Sequence, residues 1–342
     1  MDSPPYSIEA KHLTKMYGRT PAVRDLSFQV RPGEVVGFLG PNGAGKSTTL
    51  RILTGLLAAT SGEAWINGIS VAGDPSAIKR QIGYMAENNP LPEDFRVLEY
   101  LRFRARLKGV PNRELRSQID EVLETCDLHR KARRKVIGAL SKGFRQRVGI
   151  ADALLGKPQI TIMDEPTIGL DPHQVILIRD LIQNLKGQTT VLLSSHILSE
   201  VEVCCDRVLI LNQGRLVASG TPHELRETFV PGATYRLEVK GDRSVLEGIL
   251  DRLVPNWTVS FDRTADPIDL RLKISIGERE RDDPTKALTD AIHAHPGLTL
   301  RAWHKIEPNL EDIFLIATRR SWELSEEALR DRNAGHQPEV LS

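Results

Sequence analysis

Apolar residues in the first quarter of the chain come in short runs cut by glycine and proline. Residues 22–30, 34–39 and 63–66 are such runs, and each predicts a strand; a helix begins at Lys46, just after the second. The period then changes. Between residues 93 and 155, Leu98, Leu101, Phe103 and Leu107, then Leu115, Ile119, Val122 and Leu123, recur at helical spacing. From Gln159 strand and helix alternate again, with a strand over 160–163, a helix over about 173–185 and a strand over 190–194. This alternation predicts an α/β fold whose mostly parallel sheet carries helices on its faces. The helical block reads as an insertion on that sheet.

A second pattern starts near Pro231. Residues 234–239 predict a strand, and Val245, Leu246, Ile249, Leu250 and Leu253 one helix face. Trp257, Val259 and Phe261 alternate with polar residues, as do Ile268, Leu270, Leu272, Ile274 and Ile276, so both predict half-buried strands. Ala287, Leu288, Ala291 and Ile292 predict a second helix, and residues 298–306 a last strand. The order β-α-β-β-α-β matches a small α+β, ferredoxin-like domain over residues 231–319. It would follow a first domain over 6–225, whose helical part lies at about 90–155. Residues 320–342 are polar, contain Gly335 and Pro338, and predict a disordered tail.

A length of 342 residues agrees with two domains, and 40% hydrophobic with 27% charged residues suits a soluble globular protein. Lys and Arg (46) nearly balance Asp and Glu (45), a net charge of +1, so no nucleic-acid partner is expected. No stretch approaches the roughly 20 apolar residues that span a bilayer. Met1 to Pro5 has neither the basic nor the apolar part of a secretory signal. Cys126, Cys204 and Cys205 fit neither a disulfide framework nor a zinc site, which favours reduced thiols in the cytosol.

The chemistry lies in loops that follow strands. Gly40-Pro41-Asn42-Gly43-Ala44-Gly45-Lys46-Ser47 fits G-x-x-x-x-G-K-S/T, between a predicted strand and a predicted helix. Glycines let backbone N–H groups turn around phosphate oxygens, and the helix N-terminus adds its dipole. Asn42, Gly43, Ala44, Gly45, Lys46, Ser47 and Thr48 are the expected nucleotide contacts, with Lys46 on the β- and γ-phosphates and Ser47 on Mg²⁺. Downstream, Asp164 and Glu165 end a buried strand. Asp164 is expected in the Mg²⁺ shell, and Glu165 to orient or deprotonate the attacking water; capping of a helix is the alternative.

Leu140-Ser141-Lys142-Gly143-Phe144-Arg145-Gln146-Arg147 resembles the signature of ABC-type ATPases, in the variant of multidrug, gliding-motility and sodium-efflux exporters. Further landmarks fall in that family's order. Tyr17 lies where an aromatic stacks on adenine, and a core aromatic is the other reading. Glu87 occupies the Q-loop position, Gly169-Leu170-Asp171-Pro172 resembles the D-loop, and His196 the switch histidine. The resemblance covers residues 6 to 225, and implies a P-loop NTPase fold of ABC type, catalytic roles for Glu165, His196 and Lys46, and ATP with Mg²⁺ as cofactors. Ser141, Lys142 and Gly143, before a helix starting near Phe144, would face the γ-phosphate held by the other protomer of a head-to-tail dimer. Two residues depart from the commonest pattern: Glu87 replaces a glutamine, keeping only acceptor capacity when ionised, and Lys142 replaces a glycine. Glu87 can still serve Mg²⁺ or its water.

The resemblance implies an ATP-hydrolysing transporter subunit working on a separate integral membrane permease. It would act as a homodimer or with a pseudo-symmetric ABC partner, peripheral on the inner face of the cell membrane. The alternative is a soluble ABC ATPase acting on ribosomes or DNA. Against it stand the single cassette and the short distance from Gly45 to Ser141, which leaves no room for a long coiled coil. The C-terminal domain carries no nucleophile pair, metal cluster or phosphate loop, so a non-catalytic role is expected: dimer support, ATPase adjustment or substrate sensing.

Overall fold

The computed structural model describes residues 6–229, 233–253, 258–262, 268–276, 285–306 and 309–319. Two compact units divide them: residues up to Pro222 with 317–319 form one, and His223–Ile316 the other.

The first unit opens with β1 (Ile8–Tyr17) and β2 (Thr20–Val30), then β3 (Val35–Leu39) and α1 (Lys46–Leu53). β4 (Ser61–Ile66), β5 (Ile69–Ser70), α2 (Pro75–Gln81) and β6 (Ile82–Met85) follow. The insertion holds α3 (Val97–Leu107), α4 (Leu115–Thr125) and α5 (Lys142–Leu154). The chain returns through β7 (Ile160–Asp164), α6 (Pro172–Leu185), β8 (Thr190–Ser195) and α7 (Leu198–Cys204). β9 (Arg207–Asn212) and β10 (Arg215–Gly220) complete this unit, and α8 (Pro222–Phe229) starts at its boundary and continues into the second.

An antiparallel sheet has the order β2-β1-β4-β5, and a second sheet the order β10-β9-β3-β8-β7-β6, parallel from β9 to β6. Every residue of β3, β7 and β8 is buried, as expected of central strands covered on both faces. Core side chains from both sheets, such as Ile8, Leu26, Phe38, Ile162 and Leu209, pack together with Leu50 of α1. β8 lies between β3 and β7, with Leu39 opposite Ser195 and Asp164 opposite Ser194. Three chemically distinct loops therefore leave one edge of the sheet side by side, at the carboxyl ends of parallel strands.

The inserted helices differ in part from their sequence pattern. α4 buries Leu115, Ile119, Val122 and Leu123 as expected. α3 is rotated: it buries Val97, Tyr100, Leu101 and Ala105, and leaves Phe103 and Leu107 exposed. The cause is polar. Asp152 on α5 accepts from the Tyr100 hydroxyl at 3.0 Å and from Arg104 Nε at 2.9 Å, which turns the Tyr100–Arg104 face inward. Burial and the Asp152 charge push the Tyr100 phenol well above its usual range. α5 begins at Lys142 rather than near Phe144, so Ser141 is its N-cap.

The second unit contains β11 (Ala233–Gly241), α9 (Arg243–Leu253), β12 (Thr258–Phe261), β13 (Asp269–Ile276), α10 (Thr285–Ala294) and β14 (Leu298–Ile306). Its sheet order β12-β13-β11-β14, all antiparallel, is the ferredoxin-like arrangement. Tyr235, Leu237, Val239, Leu270, Leu272 and Ile274 turn one sheet face onto Leu246, Leu250, Leu288 and Ile292 of the two helices. Leu253 and Ile268 are exposed instead of joining that core, at a helix end and just before β13. Trp257 and the tail over 320–342 lie outside the described residues.

Candidate functional site

The loop between β3 and α1 can be built only with glycine at its two ends. A Cβ at Gly40 would lie 2.6 Å from the Leu211 carbonyl oxygen. Gly45 has φ of +99°, and its Cβ would meet the Ala22 carbonyl oxygen at 2.5 Å. Gly45 is the N-cap of α1 and offers no side chain to its N–H groups. The first turn, where Lys46, Ser47 and Thr48 lie, thus keeps free donors aimed at an anion. Asn42 is exposed at the loop tip, while Ala44 is buried. Tyr17 is half exposed at the end of β1, next to the turn into β2, so it is not a core aromatic.

Lys46 is nearly buried and spans the site. Its Nζ donates to the Gly40 carbonyl at 2.7 Å and lies 3.3 Å from Glu165 Oε1. The other Glu165 oxygen accepts from His196 Nδ1 at 2.7 Å. The Glu165 backbone has φ of +51°, a left-handed conformation rarely used by non-glycine residues, and its N–H donates to Ser194 Oγ at 2.9 Å. Ser194 Oγ donates in turn to Asp164 Oδ1 at 2.6 Å, and Ser47 Oγ donates to the same oxygen at 3.1 Å.

Asp164 Oδ2 is buried and has no hydrogen-bond partner among the described residues. An orphaned carboxylate oxygen beside a serine hydroxyl at a phosphate-type loop fits a hard divalent cation. Among the described residues no group of three or more His, Cys, Asp and Glu could hold a metal by itself. That suits Mg²⁺, which takes one or two protein ligands and completes its shell with phosphate and water.

Glu87 is not part of this cluster. It is half-buried, forms no hydrogen bond to Ser47 or Asp164, and lines a cleft of about 400 Å³ with Glu93, Lys142 and Arg145. Among the described residues none of these four charged side chains forms an ion pair. Tyr84 links the two regions electrostatically: burial chiefly, then Asp164, and to a lesser degree Glu87 raise its phenol pKa. Sequence reasoning passed over Tyr84 and Ser194; two serines ending an apolar strand were the available signal for the latter.

Of the signature residues at the start of α5, Ser141 and Lys142 are exposed and Gly143 is buried. Ser141 caps the helix through its backbone only, and its hydroxyl makes no hydrogen bond among the described residues. A Cβ on Gly169 would fall 2.2 Å from Lys142 Nζ, so that ammonium rests over the Gly169 backbone. Gly143 packs against Gln174. Asp171 is the N-cap of α6, its Oδ1 accepting from Gln174 N at 3.0 Å. His173 is exposed in the same turn.

The chain is similar to known proteins. Residues 23–168 match the family described as ABC transporter. Over 315 residues the chain is 33% identical to the linearmycin resistance ATP-binding protein LnrL of Bacillus subtilis (strain 168), covering 92% of this chain and 99% of that protein. The chain belongs to the ABC transporter family. It is an ATP-binding subunit and an ATPase. This ABC subunit is also 36% identical over 324 residues to the Nod factor export ATP-binding protein I of Ralstonia nicotianae, covering 93% and 95% of the two chains. A solved structure of an ATP-binding subunit of an ABC transporter superposes with a TM-score of 0.60 at 35% identity, covering 66% of the ABC subunit and 93% of that chain. A dimeric post-hydrolysis cassette bound to ADP and Pi gives 0.58 at 28% identity, covering 63% and 98%. No helix among the described residues is long and apolar enough to cross a membrane.

Proposed function

We propose that this subunit drives export through a separate membrane permease, hydrolysing ATP in sites completed across a head-to-tail dimer. The observation that carries this reading is the Glu165 carboxylate, held between Lys46 and His196 beside Asp164. Lys46 and the free N–H groups of α1 take the ATP phosphates. Asp164 and Ser47 would hold Mg²⁺, which would supply charge neutralisation on the phosphates, and Glu87 would serve a water of its shell. Glu165 accepts the proton of the attacking water, since a carboxylate can do so only if fixed within hydrogen-bond reach. His196 holds Glu165 through Nδ1 and offers its other ring nitrogen to the γ-phosphate. Tyr17 provides an exposed ring for the adenine.

The free Ser141 hydroxyl, the Lys142 ammonium and the first-turn N–H groups of α5 serve the partner's γ-phosphate. Asp171 sits at the same face. The dimeric cassette among the solved relatives supports this placement. Relatives named for Nod factor export and linearmycin resistance support the outward direction and leave the ribosome or DNA reading without support. Phe95 and Phe103, with ring centroids 6.1 Å apart, and Leu107 form an exposed apolar stripe on the insertion. Such a stripe suits a cytosolic helix of the permease. The ferredoxin-like unit supports the dimer or adjusts turnover, and the whole assembly lies on the inner membrane face.

Complementation tests the shared site. Ser141→Arg and Lys46→Ala chains are each expected to be inactive and monomeric with ATP. Mixed, they regain one intact composite site per heterodimer and form ATP-dependent dimers on a sizing column. A mixture that stays as monomeric as its parts contradicts the head-to-tail arrangement.

A further inference from the structure

A second connection joins the loop of Glu165 to the loop of His196, away from the reacting groups. Thr167, two residues after Glu165 and buried, donates its hydroxyl to Glu200 Oε2 at 2.5 Å. Glu200 is buried in the first turn of α7, where the helix dipole favours an acidic side chain. The same Oε2 lies 3.5 Å from Ser195 Oγ, which also accepts from Ile197 N at 2.9 Å. Ser195 precedes His196, and His196 bonds back to Glu165. The circuit is closed: Glu165 to Thr167 along the chain, Thr167 to Glu200, Glu200 to Ser195, and His196 to Glu165.

The parts of this circuit differ in kind. The His196–Glu165 contact belongs to the reacting machinery and is half open to solvent. The Thr167–Glu200 contact is shielded, and a short charge-assisted O–H···O bond is a stiff link. Burial raises the Glu200 carboxyl above its ordinary pKa, against the hydrogen bonds from Thr167 and Ser195 that lower it. A carboxylate kept buried without a cation partner among the described residues is costly. Its hydrogen bonds hold two loops at a fixed separation. Beyond Thr167 the chain turns directly into Gly169 and Asp171, with Leu170 N donating to the Thr167 carbonyl at 3.2 Å.

We infer that Glu200 is a positioning residue for ATP hydrolysis: through Thr167 and Ser195 it sets His196 against Glu165 and ties both to the Gly169–Asp171 turn. This rests on the proposed roles of Glu165 and His196. Glu200 itself touches no reacting atom. Its removal therefore lets the histidine and the carboxylate drift apart while the phosphate loop stays intact, and ångström-scale misplacement is what turnover punishes most.

The test uses full-length chains, with steady-state ATPase assays, titration with a fluorescent ATP analogue and thermal melting. Thr167→Val and Glu200→Ala are expected to lower kcat roughly ten- to a hundred-fold with KM and nucleotide affinity unchanged. Thr167→Ser and Glu200→Gln, which keep the donor and the acceptor, restore most of the rate. The Thr167→Val/Glu200→Ala double variant is no slower than the worse single one, because one strut can be lost only once. Wild-type kcat in Thr167→Val overturns the proposal. So does a Thr167→Ser variant as slow as Thr167→Val, or two losses that multiply. If Glu165→Gln hydrolyses at the wild-type rate, the underlying assignment fails instead, which separates the two failures.

Discussion

His196 Nδ1 lies 2.7 Å from Glu165 Oε2, so the histidine after β8 holds the carboxylate of the acid after β7. The other oxygen of that carboxylate faces Lys46 at 3.3 Å. One carboxylate is thus shared by the phosphate-loop lysine and the histidine. In the proposed mechanism the ATP phosphates compete for Lys46 and free Glu165 for the attacking water.

Gly45→Ala tests the loop geometry. Its φ of +99° and the 2.5 Å approach to the Ala22 carbonyl leave no room for a methyl group. The backbone strain amounts to about 1–3 kcal/mol before any steric shift. The variant is expected to melt at a lower temperature and to lose ATP binding in a fluorescent-nucleotide titration.

Glu87 and Lys142, the two departures from the commonest ABC pattern, line one cleft. Their charges are expected to compensate each other. Glu87→Gln and Lys142→Gly should each change ATP-dependent dimerisation, while the double variant returns toward wild type. A coupling of at least about 0.5 kcal/mol in the double-mutant cycle is expected. Strictly additive effects would show that the two charges act separately.

Much of this was legible in the sequence because it is contiguous. The phosphate loop lies in eight consecutive residues, and Asp164-Glu165 directly follows the strand-like run Ile160-Thr161-Ile162-Met163. The ferredoxin-like unit was legible because Leu270, Leu272 and Ile274 alternate strictly. What escaped joins residues distant in sequence. Ser194 reaches Asp164, and Glu200 reaches Thr167, across neighbouring strands and loops whose order no local pattern encodes. The face of α3 was misread because Tyr100 and Arg104 look solvent-facing until Asp152 draws them in.

Phe103 and Leu107 follow from that correction. Both are exposed, so Phe103→Glu with Leu107→Glu should shift the stability of the free subunit by no more than about 0.5 kcal/mol each. ATPase activity of the free subunit should also hold. Co-purification with the proposed membrane permease is expected to disappear.

Glu200 carries a pH signature. Its folded pKa is raised above 4.5, so the folded state binds its proton more tightly than the unfolded chain does. The stabilisation from this group is therefore full below 4.5 and is lost as pH rises through the folded value. Glu200→Gln removes the cost of the buried charge. It is expected to raise Tm at neutral pH, by a margin that shrinks as pH falls toward 4.5.

The central claim, that Glu165 handles the attacking water in a dimer closed by ATP, is tested most directly by sedimentation of Glu165→Gln with ATP and Mg²⁺. The neutral amide keeps the shape of the site and cannot take a proton. Nucleotide should bind with unchanged affinity, hydrolysis should nearly stop, and the protein should sediment as a dimer that persists while ATP lasts. Wild-type hydrolysis, or a chain that stays monomeric with ATP fully bound, would contradict the account.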